Sequence, residues 1–148
     1  MSGQIDPSDI PEASPRRARH GSLAGLRVLV AEDTEMVRDL ISILLMREKV
    51  GVTAVSDGAA AVEAANAEAF DVILMDMNMP VMGGFEATRR IRQSGGPCAG
   101  VPIVALTANV SKAEIAQCHR AGMDGHVAKP FNTNALTSAI QAALFDGH

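Results

Sequence analysis

Short apolar runs alternate with longer segments of helical periodicity from residue 26 to residue 145, and this alternation constrains the fold more than any other feature. The run from Val72 to Met75 is continuously apolar, as is typical of a strand that is covered on both faces. Segment 34–49 instead repeats apolar residues at the spacing of one helix face, namely Val37, Leu40, Ile41, Leu44 and Leu45. These patterns predict strands at 26–31, 52–56, 72–76, 101–107 and 125–129, and helices at 34–49, 58–69, 84–94, 111–122 and 132–145.

Five strand–helix units predict an α/β fold in which helices cover both faces of a parallel sheet. Right-handed crossovers leave few topologies for such a sheet. We therefore expect a flavodoxin-like, doubly wound, five-stranded parallel sheet of strand order 2-1-3-4-5 with five helices. In this architecture the ligand site lies at the carboxyl ends of the strands.

The segment 1–24 differs in composition from the rest of the chain. It holds three of the seven prolines and shows no apolar periodicity, so we predict a disordered tail or linker followed by one domain over 25–146. The basic cluster "RRARH" at 16–20 could contact anionic lipid or nucleic acid, but a solvated linker is the simpler interpretation because the acidic residues nearby balance its charge.

Charge and composition exclude several functional classes. The net charge of −4 and the isoelectric point near 5.5 argue against a nucleic-acid-binding surface. Apolar runs fall short of the ~18–20 residues that cross a bilayer, which predicts no membrane insertion. Cys98 and Cys118 are too few for a disulfide framework, so we expect a reduced, cytoplasmic protein.

Polar residues end four of the predicted strands. Glu32 and Asp33 follow the first strand, Asp76 ends the third, Thr107 ends the fourth, and Lys129-Pro130 ends the fifth. The predicted strand order brings these ends into one crevice, where three carboxylates would repel one another unless a cation lay among them. Carboxylate oxygens at this density suit Mg²⁺.

Each of these residues also has a purely structural interpretation. An acidic pair before a helix is often an N-cap, and Thr34 or Asp33 could cap the first helix. Thr107 could be an ordinary strand residue, and Lys129-Pro130 could be a turn. The structural interpretation requires separate coincidences at the same end of different strands, so we favour a functional site.

The motifs "VLVAEDTEMVRDLI", "FDVILMDMNMPVMGGFEATRRIR", "VPIVALTAN" and "AGMDGHVAKPF" together resemble a receiver domain of two-component signalling. The resemblance covers residues 26–145, and the motif sequences are most similar to those of receivers attached to hybrid sensor histidine kinases. It implies a phosphorylation-controlled switch, and not an enzyme that turns over a substrate. Such a domain catalyses its own phosphotransfer and a slow autodephosphorylation.

The resemblance also implies residue roles. Asp76 would be the phosphoacceptor, attacking the phosphorus of a phosphohistidine. Asp33, Asp76 and the backbone carbonyl of Asn78 would hold Mg²⁺, which Glu32 would reach through water.

Other residues would bind and report the phosphoryl group. The Thr107 hydroxyl and the Ala108 amide would bind phosphoryl oxygens, and Lys129 would pair with the phosphoryl charge. The family has a cis peptide at the position of Lys129–Pro130. Thr107 and His126 would form the switch, although His126 replaces the aromatic residue that the family often carries there.

The expected partner is a histidine kinase or a histidine phosphotransfer protein, with a downstream protein as a further target. Met36, Val37 and Phe131 are candidate docking contacts, although Val37 and Phe131 could equally be core residues. A phosphatase with an Asp nucleophile is a weaker alternative, because Asn78 stands where such an enzyme needs an acid. A docking-only pseudo-receiver is another. The chain length fits either a single-domain regulator or the receiver of a hybrid kinase.

Overall fold

The structure is a computed structural model that describes residues 23–108 and 111–146. The strands are β1 (Arg27–Ala31), β2 (Gly51–Val55), β3 (Val72–Asp76), β4 (Ile103–Thr107) and β5 (Gly125–Ala128). The helices are α1 (Glu35–Arg47), α2 (Gly58–Ala67), α3 (Gly84–Gln93), α4 (Lys112–Ala121) and α5 (Thr133–Gln141), and a π-helical turn follows α5 at Ala142–Asp146. The predicted elements are therefore present, with ends that differ from the predicted bounds by a few residues.

The five strands form one parallel sheet in the order β2-β1-β3-β4-β5. Its central register pairs Leu29 of β1 with Ile73 of β3, and Ile73 with Ile103 of β4. This order confirms the predicted doubly wound, flavodoxin-like topology. β3 and β4 are buried along their whole length because helices cover both faces of the sheet.

Alternate residues of β1, β3 and β4 enter two separate cores, one on each face of the sheet. On one face, Ile41 and Leu45 of α1 and Leu136 and Ile140 of α5 pack against the sheet. Small residues of α2 and α3, Ala61, Ala65 and Ala87 among them, let these helices approach the other face closely. Full burial of an aliphatic side chain such as Ile41 contributes ~1.5–3 kcal/mol.

Helix α1 differs from its prediction in two respects. Leu40, which the periodicity placed on the buried face, is 44% exposed because Ile41 and Leu45 define a narrower buried stripe. Thr34 occupies the N-cap position, but its side chain makes no capping bond to the described helix residues. Instead, its amide donates a hydrogen bond to Glu32 Oε2 at 3.1 Å.

The packed region begins before the predicted domain boundary at residue 25. Leu23 is 2% exposed and belongs to the core beside α1 and α5, because an apolar side chain at this point can close the core under the start of β1. Residues 1–22, where we predict the tail, lie outside the described residues. Among the helices that the structure describes, none is both long enough and apolar enough to cross a membrane.

Candidate functional site

The carboxyl ends of β1, β3 and β5 bring the predicted site residues to one edge of the sheet. Asp76 is the last residue of β3, Glu32 directly follows β1, and Lys129 directly follows β5. β1 and β3 are neighbours, and from them the chain winds outward in opposite directions. Open parallel sheets bind their ligands at this kind of switch point.

Three acidic side chains form a cluster at this edge. Carboxylate oxygens of Glu32, Asp33 and Asp76 lie within 4.8 Å of one another. Glu32 is fully buried and Asp76 is 4% exposed, whereas Asp33 is exposed. The Asn78 amide donates a hydrogen bond to Asp76 Oδ1 at 3.3 Å. The cluster is therefore open to solvent on the side of Asp33 and closed on the side of the sheet.

Lys129 links the two buried carboxylates. Its Nζ lies 2.9 Å from Glu32 Oε1 and 3.3 Å from Asp76 Oδ1. Its backbone amide donates to the Thr107 carbonyl at 2.8 Å, and its peptide bond to Pro130 is cis. Strand β5 thus directs the ammonium group across the end of β4 to the acidic cluster.

The crowding of charge alters the protonation of both partners. Burial, and after it the charge of Glu32, raise the pKa of the Asp76 carboxyl from 3.8 to about 6, although Lys129 acts in the opposite direction. Burial alone would lower the pKa of the Lys129 ammonium. The contacts with Glu32 and Asp76 outweigh that effect and raise it above its ordinary value. The ammonium therefore neutralises only part of the negative charge that the cluster holds.

The cluster has the properties of a divalent cation site. Glu32 Oε1 is buried, and an ion pair with Lys129 Nζ at 2.9 Å is its one polar contact among the described residues. A buried, incompletely satisfied oxygen is costly unless something else binds it. Hard oxygen ligands with an open, solvent-facing side suit Mg²⁺, which retains several of its waters. Glu32, Asp33 and Asp76 therefore fit a magnesium ion.

Backbone contacts fix the position of Asp76. The amide of Met77 donates to the Leu106 carbonyl, which extends the β3–β4 pairing beyond the strand end. Gly84 packs against the same segment, and a Cβ atom there would lie 2.4 Å from the Asp76 carbonyl oxygen. Only glycine allows this approach. The start of α3 is thereby held against the end of β3.

Two contacts of the site were not anticipated from the sequence. Arg38 of α1 donates from Nη1 to the Glu32 carbonyl at 2.8 Å and so supports the acidic loop. The Thr107 hydroxyl donates to Glu114 Oε2 of α4 at 3.3 Å. The spacing of Ser111 and Glu114 matches a capping box, a sequence signal that could have drawn attention to Glu114. Ser111 Oγ does accept the Glu114 amide.

The remaining predicted residues lie around the end of β4. Thr107 is 3% exposed, and Ala108 follows it at the surface. Thr107 pairs in register with Ala128, and Ala105 pairs with His126, so Thr107 and His126 lie on the same face of neighbouring strands. The His126 side chain is exposed in this structure.

The doubly wound sheet with an acidic cluster at its switch point defines a class of domain, and comparison with known proteins identifies the family. The family model described as "Response regulator receiver domain" matches residues 28–141. The chain belongs to this family, which consists of phosphorylation-controlled switches of two-component systems. The recognition that the sequence motifs suggested is confirmed.

Curated relatives include receivers within much longer histidine kinases. The chain is 33% identical to Histidine kinase 1 of Arabidopsis thaliana over 80% of its own length and 13% of that protein. It is 36% identical to Hybrid signal transduction histidine kinase I of Dictyostelium discoideum, over 80% of this chain and 7% of that one. The chain thus spans only a small part of these relatives.

Solved structures agree with the family assignment. The chemotaxis protein CheY4 of Vibrio cholerae shares 33% identity and a TM-score of 0.77, over 82% of this chain and 100% of that chain. The receiver domain of a sensor histidine kinase from Pseudomonas aeruginosa PAO1 shares 38% identity and a TM-score of 0.75, over 82% of this chain and 98% of that chain. The latter structure has a magnesium ion coordinated in its active-site cleft.

Proposed function

We propose that Asp76 accepts a phosphoryl group from a phosphohistidine of a histidine kinase or a histidine phosphotransfer protein. A carboxylate oxygen of Asp76 attacks phosphorus, the phosphorus–nitrogen bond breaks, and the departing imidazole takes up a proton. Hydrolysis later returns Asp76 slowly to its free form. The domain over residues 25–146 would act in this way as a switch within a cytoplasmic phosphorelay.

The observation that carries this proposal is the buried position of Asp76 among groups that bind charge. Asp76 is 4% exposed, yet it lies beside Glu32 and Lys129 and opposite the solvent-facing Asp33. Burial of this carboxylate has no evident benefit for folding, because desolvation raises its pKa to about 6. Strongly perturbed carboxyl groups in a cleft are characteristic of functional sites.

A magnesium ion fits the same cluster. Asp33 and Asp76 would bind it directly, together with the Asn78 backbone carbonyl, and Glu32 would bind through water. The ion would supply positive charge to the phosphoryl oxygens, which is the main requirement of phosphoryl transfer besides alignment. The similar receiver domain from Pseudomonas aeruginosa has a magnesium ion coordinated in its active-site cleft, which supports this proposal.

The chain's own residues supply the other contacts. The Lys129 ammonium, which now bridges Glu32 and Asp76, would pair with the phosphoryl charge. The Thr107 hydroxyl and the Ala108 amide would donate to phosphoryl oxygens. Since Thr107 moves inward in this scheme, His126 on the neighbouring strand would follow it, and the exposed surface of β5 would change.

The phosphodonor would dock on α1 beside the site. Met36, Leu40 and Ile43 are 79%, 44% and 52% exposed and lie along one side of the helix. Of the contacts expected from the sequence, Met36 belongs to this apolar stripe. Val37 and Phe131 are instead partly buried against the core. This row supports docking on α1, because contiguous apolar patches are characteristic of protein-binding surfaces.

The direct test is phosphorylation by phosphoramidate, a small donor with the same type of phosphorus–nitrogen bond. The wild-type protein with Mg²⁺ should gain one phosphoryl group, detected by intact mass after rapid acid quenching, and Asp76→Asn should gain none. Asp71→Asn is the matched control, because Asp71 lies just before the other end of the same strand. It should be labelled as fast as the wild type.

Label retained by Asp76→Asn would refute the assignment of the phosphoacceptor. Asp33→Asn tests the metal ligands separately. It should need far more Mg²⁺ for the same labelling rate and should bind Mg²⁺ more weakly in an NMR titration. Unchanged Mg²⁺ affinity in that variant would show that the ion binds elsewhere.

A further inference from the structure

We propose that Glu114 is a positioning residue that competes with the phosphoryl group for the Thr107 hydroxyl and thereby sets how readily the domain switches. This inference rests on the proposed function, since it requires Thr107 to contact the phosphoryl group. The inference goes beyond that function because it assigns to Glu114, a residue of α4, a role that opposes the contact between Thr107 and the phosphoryl group. Phosphorylation must break the contact between Thr107 and Glu114 before Thr107 can bind a phosphoryl oxygen.

The contact joins the end of β4 to the first turn of α4. Thr107 is 3% exposed, and its hydroxyl donates to Glu114 Oε2 at 3.3 Å. Glu114 is the third residue of α4, and its amide donates to Ser111 Oγ at 3.1 Å. The carboxylate is therefore attached to a helix end that is itself fixed by its N-cap.

The competition follows from the chemistry of a hydroxyl group. A threonine hydroxyl has one hydrogen to donate, whatever further bonds its oxygen accepts. Both the Glu114 carboxylate and a phosphoryl oxygen can only accept that hydrogen, so Thr107 cannot donate to both at once. Hydrogen bonds to a charged acceptor are stronger than neutral ones, so the carboxylate is an effective competitor.

The same exchange gives α4 a means to sense the site. When Thr107 turns to the phosphoryl group, Glu114 loses a partner in the first turn of the helix. The carboxylate is then released while Ser111 still caps the helix. Phosphorylation at the end of β3 would thus alter the surface of α4 through one hydrogen bond.

The test uses beryllium fluoride with Mg²⁺, a stable phosphoryl mimic, and follows the amide signals of Asn78 and Ala108 by NMR. Glu114→Gln replaces the charged acceptor by a neutral one and should bind beryllium fluoride about threefold to tenfold more tightly than the wild type. Glu114→Ala, which removes the acceptor altogether, should bind beryllium fluoride at least as tightly as Glu114→Gln. Glu86→Gln is the matched control, since Glu86 is the third residue of α3 and pairs with Arg89 and Arg90 instead. It should bind like the wild type.

The hydroxyl itself is tested in the background of Thr107→Val. There the Glu114→Gln substitution should no longer change the affinity for beryllium fluoride. An effect that persists would mean that Glu114 acts through its charge alone, and equal or weaker binding by both Glu114 variants would also overturn the proposal. Asp76→Asn separates the two proposals, because beryllium fluoride binding that survives this substitution refutes the phosphoacceptor site itself.

Discussion

At the amino ends of the strands, Arg27 and Arg92 reach carboxylates and backbone carbonyls, whereas at the carboxyl ends three carboxylates lie together and Lys129 contacts two of them. The Asp71 carboxylate accepts the Arg27 amide at 2.9 Å, and the Arg27 guanidinium also binds Glu68 and the Ala69 carbonyl. The residue types are similar at the two ends, which we call the amino edge and the carboxyl edge of the sheet. The two edges differ in how many hydrogen-bond partners each polar atom has.

Arg92 shows the satisfied arrangement most fully. Its guanidinium donates to the carbonyls of Ala99, Val101 and Gly122 and to Asp124 Oδ2 at 2.7–2.9 Å. The same Asp124 oxygen also accepts the Ile103 amide at the start of β4. Because each group has several partners, this edge of the sheet holds the ends of α3, β4 and β5 together.

The acidic cluster shows the opposite arrangement. Glu32 and Asp76 are buried beside each other, and within residues 23–108 and 111–146 Glu32 Oε1 has only the ion pair with Lys129 as a polar contact. Burial of like charges costs free energy that better-paired charges would not. We infer that the amino edge stabilises the fold and that the carboxyl edge gives up stability to hold a binding site.

The largest expected effect on stability is at the amino edge. Arg92→Met keeps most of the aliphatic stem but leaves three carbonyl groups and Asp124 without the guanidinium. Five hydrogen bonds are lost, so at roughly 1 kcal/mol for each the free energy of unfolding should fall by ~5 kcal/mol. Urea denaturation followed by circular dichroism measures this change in a chain that has no Trp.

Arg90→Met is the control for Arg92→Met. Arg90 lies two residues earlier on the same helix and pairs with Glu86 at the surface, so its loss should change stability little. Phosphoryl uptake at a temperature where Arg92→Met is folded should match the wild type. A specific loss of uptake in Arg92→Met would contradict the division between a structural edge and a functional edge.

Asp76→Asn should raise the free energy of unfolding, whereas Arg92→Met should lower it. Since the pKa of Asp76 is raised to about 6 in the folded domain, ionisation of this group favours the unfolded chain. The substitution should therefore stabilise the metal-free domain at neutral pH, on the order of 3 kcal/mol. Asp124→Asn, at the amino edge, should destabilise the domain because Arg92 and the Ile103 amide lose a charged acceptor.

The pH dependence of stability shows directly whether ionisation of Asp76 destabilises the folded domain. Below the ordinary pKa of 3.8, Asp76 is protonated in both the folded and the unfolded states and has no effect. As pH rises toward about 6, the unfolded chain ionises first, and the wild type loses stability relative to Asp76→Asn. Denaturation in EDTA from pH 4.5 to 7.5 should show this difference grow and then level off. A difference in stability that stays constant over this pH range would contradict the raised pKa of Asp76. Added Mg²⁺ should reduce the difference between the two proteins.

The sequence predicted the topology and grouped Glu32, Asp33, Asp76 and Lys129 because periodicity places strand ends together whatever the side-chain rotamers are. It did not predict that Lys129 bridges Glu32 and Asp76, nor that Glu114 accepts the Thr107 hydroxyl. Such contacts depend on distances between separate elements, which no local pattern encodes. The exposure of Leu40 was missed for a related reason, since periodicity gives the centre of a buried face and not its width.

The smallest expected effect concerns backbone strain, again compared between the two edges. Val81, in the loop after β3, has a φ of 68° and is 82% exposed, and Lys49, before β2, has a φ of 66°. Left-handed backbone is unfavourable for a β-branched residue, whereas Asn tolerates it. Val81→Asn should therefore stabilise the domain by ~1 kcal/mol, and Lys49→Asn, which replaces an unbranched residue, should gain less. Urea denaturation of both variants checks this order. An equal gain at the two positions would show that the loop beside Asp76 carries no more strain than an ordinary turn.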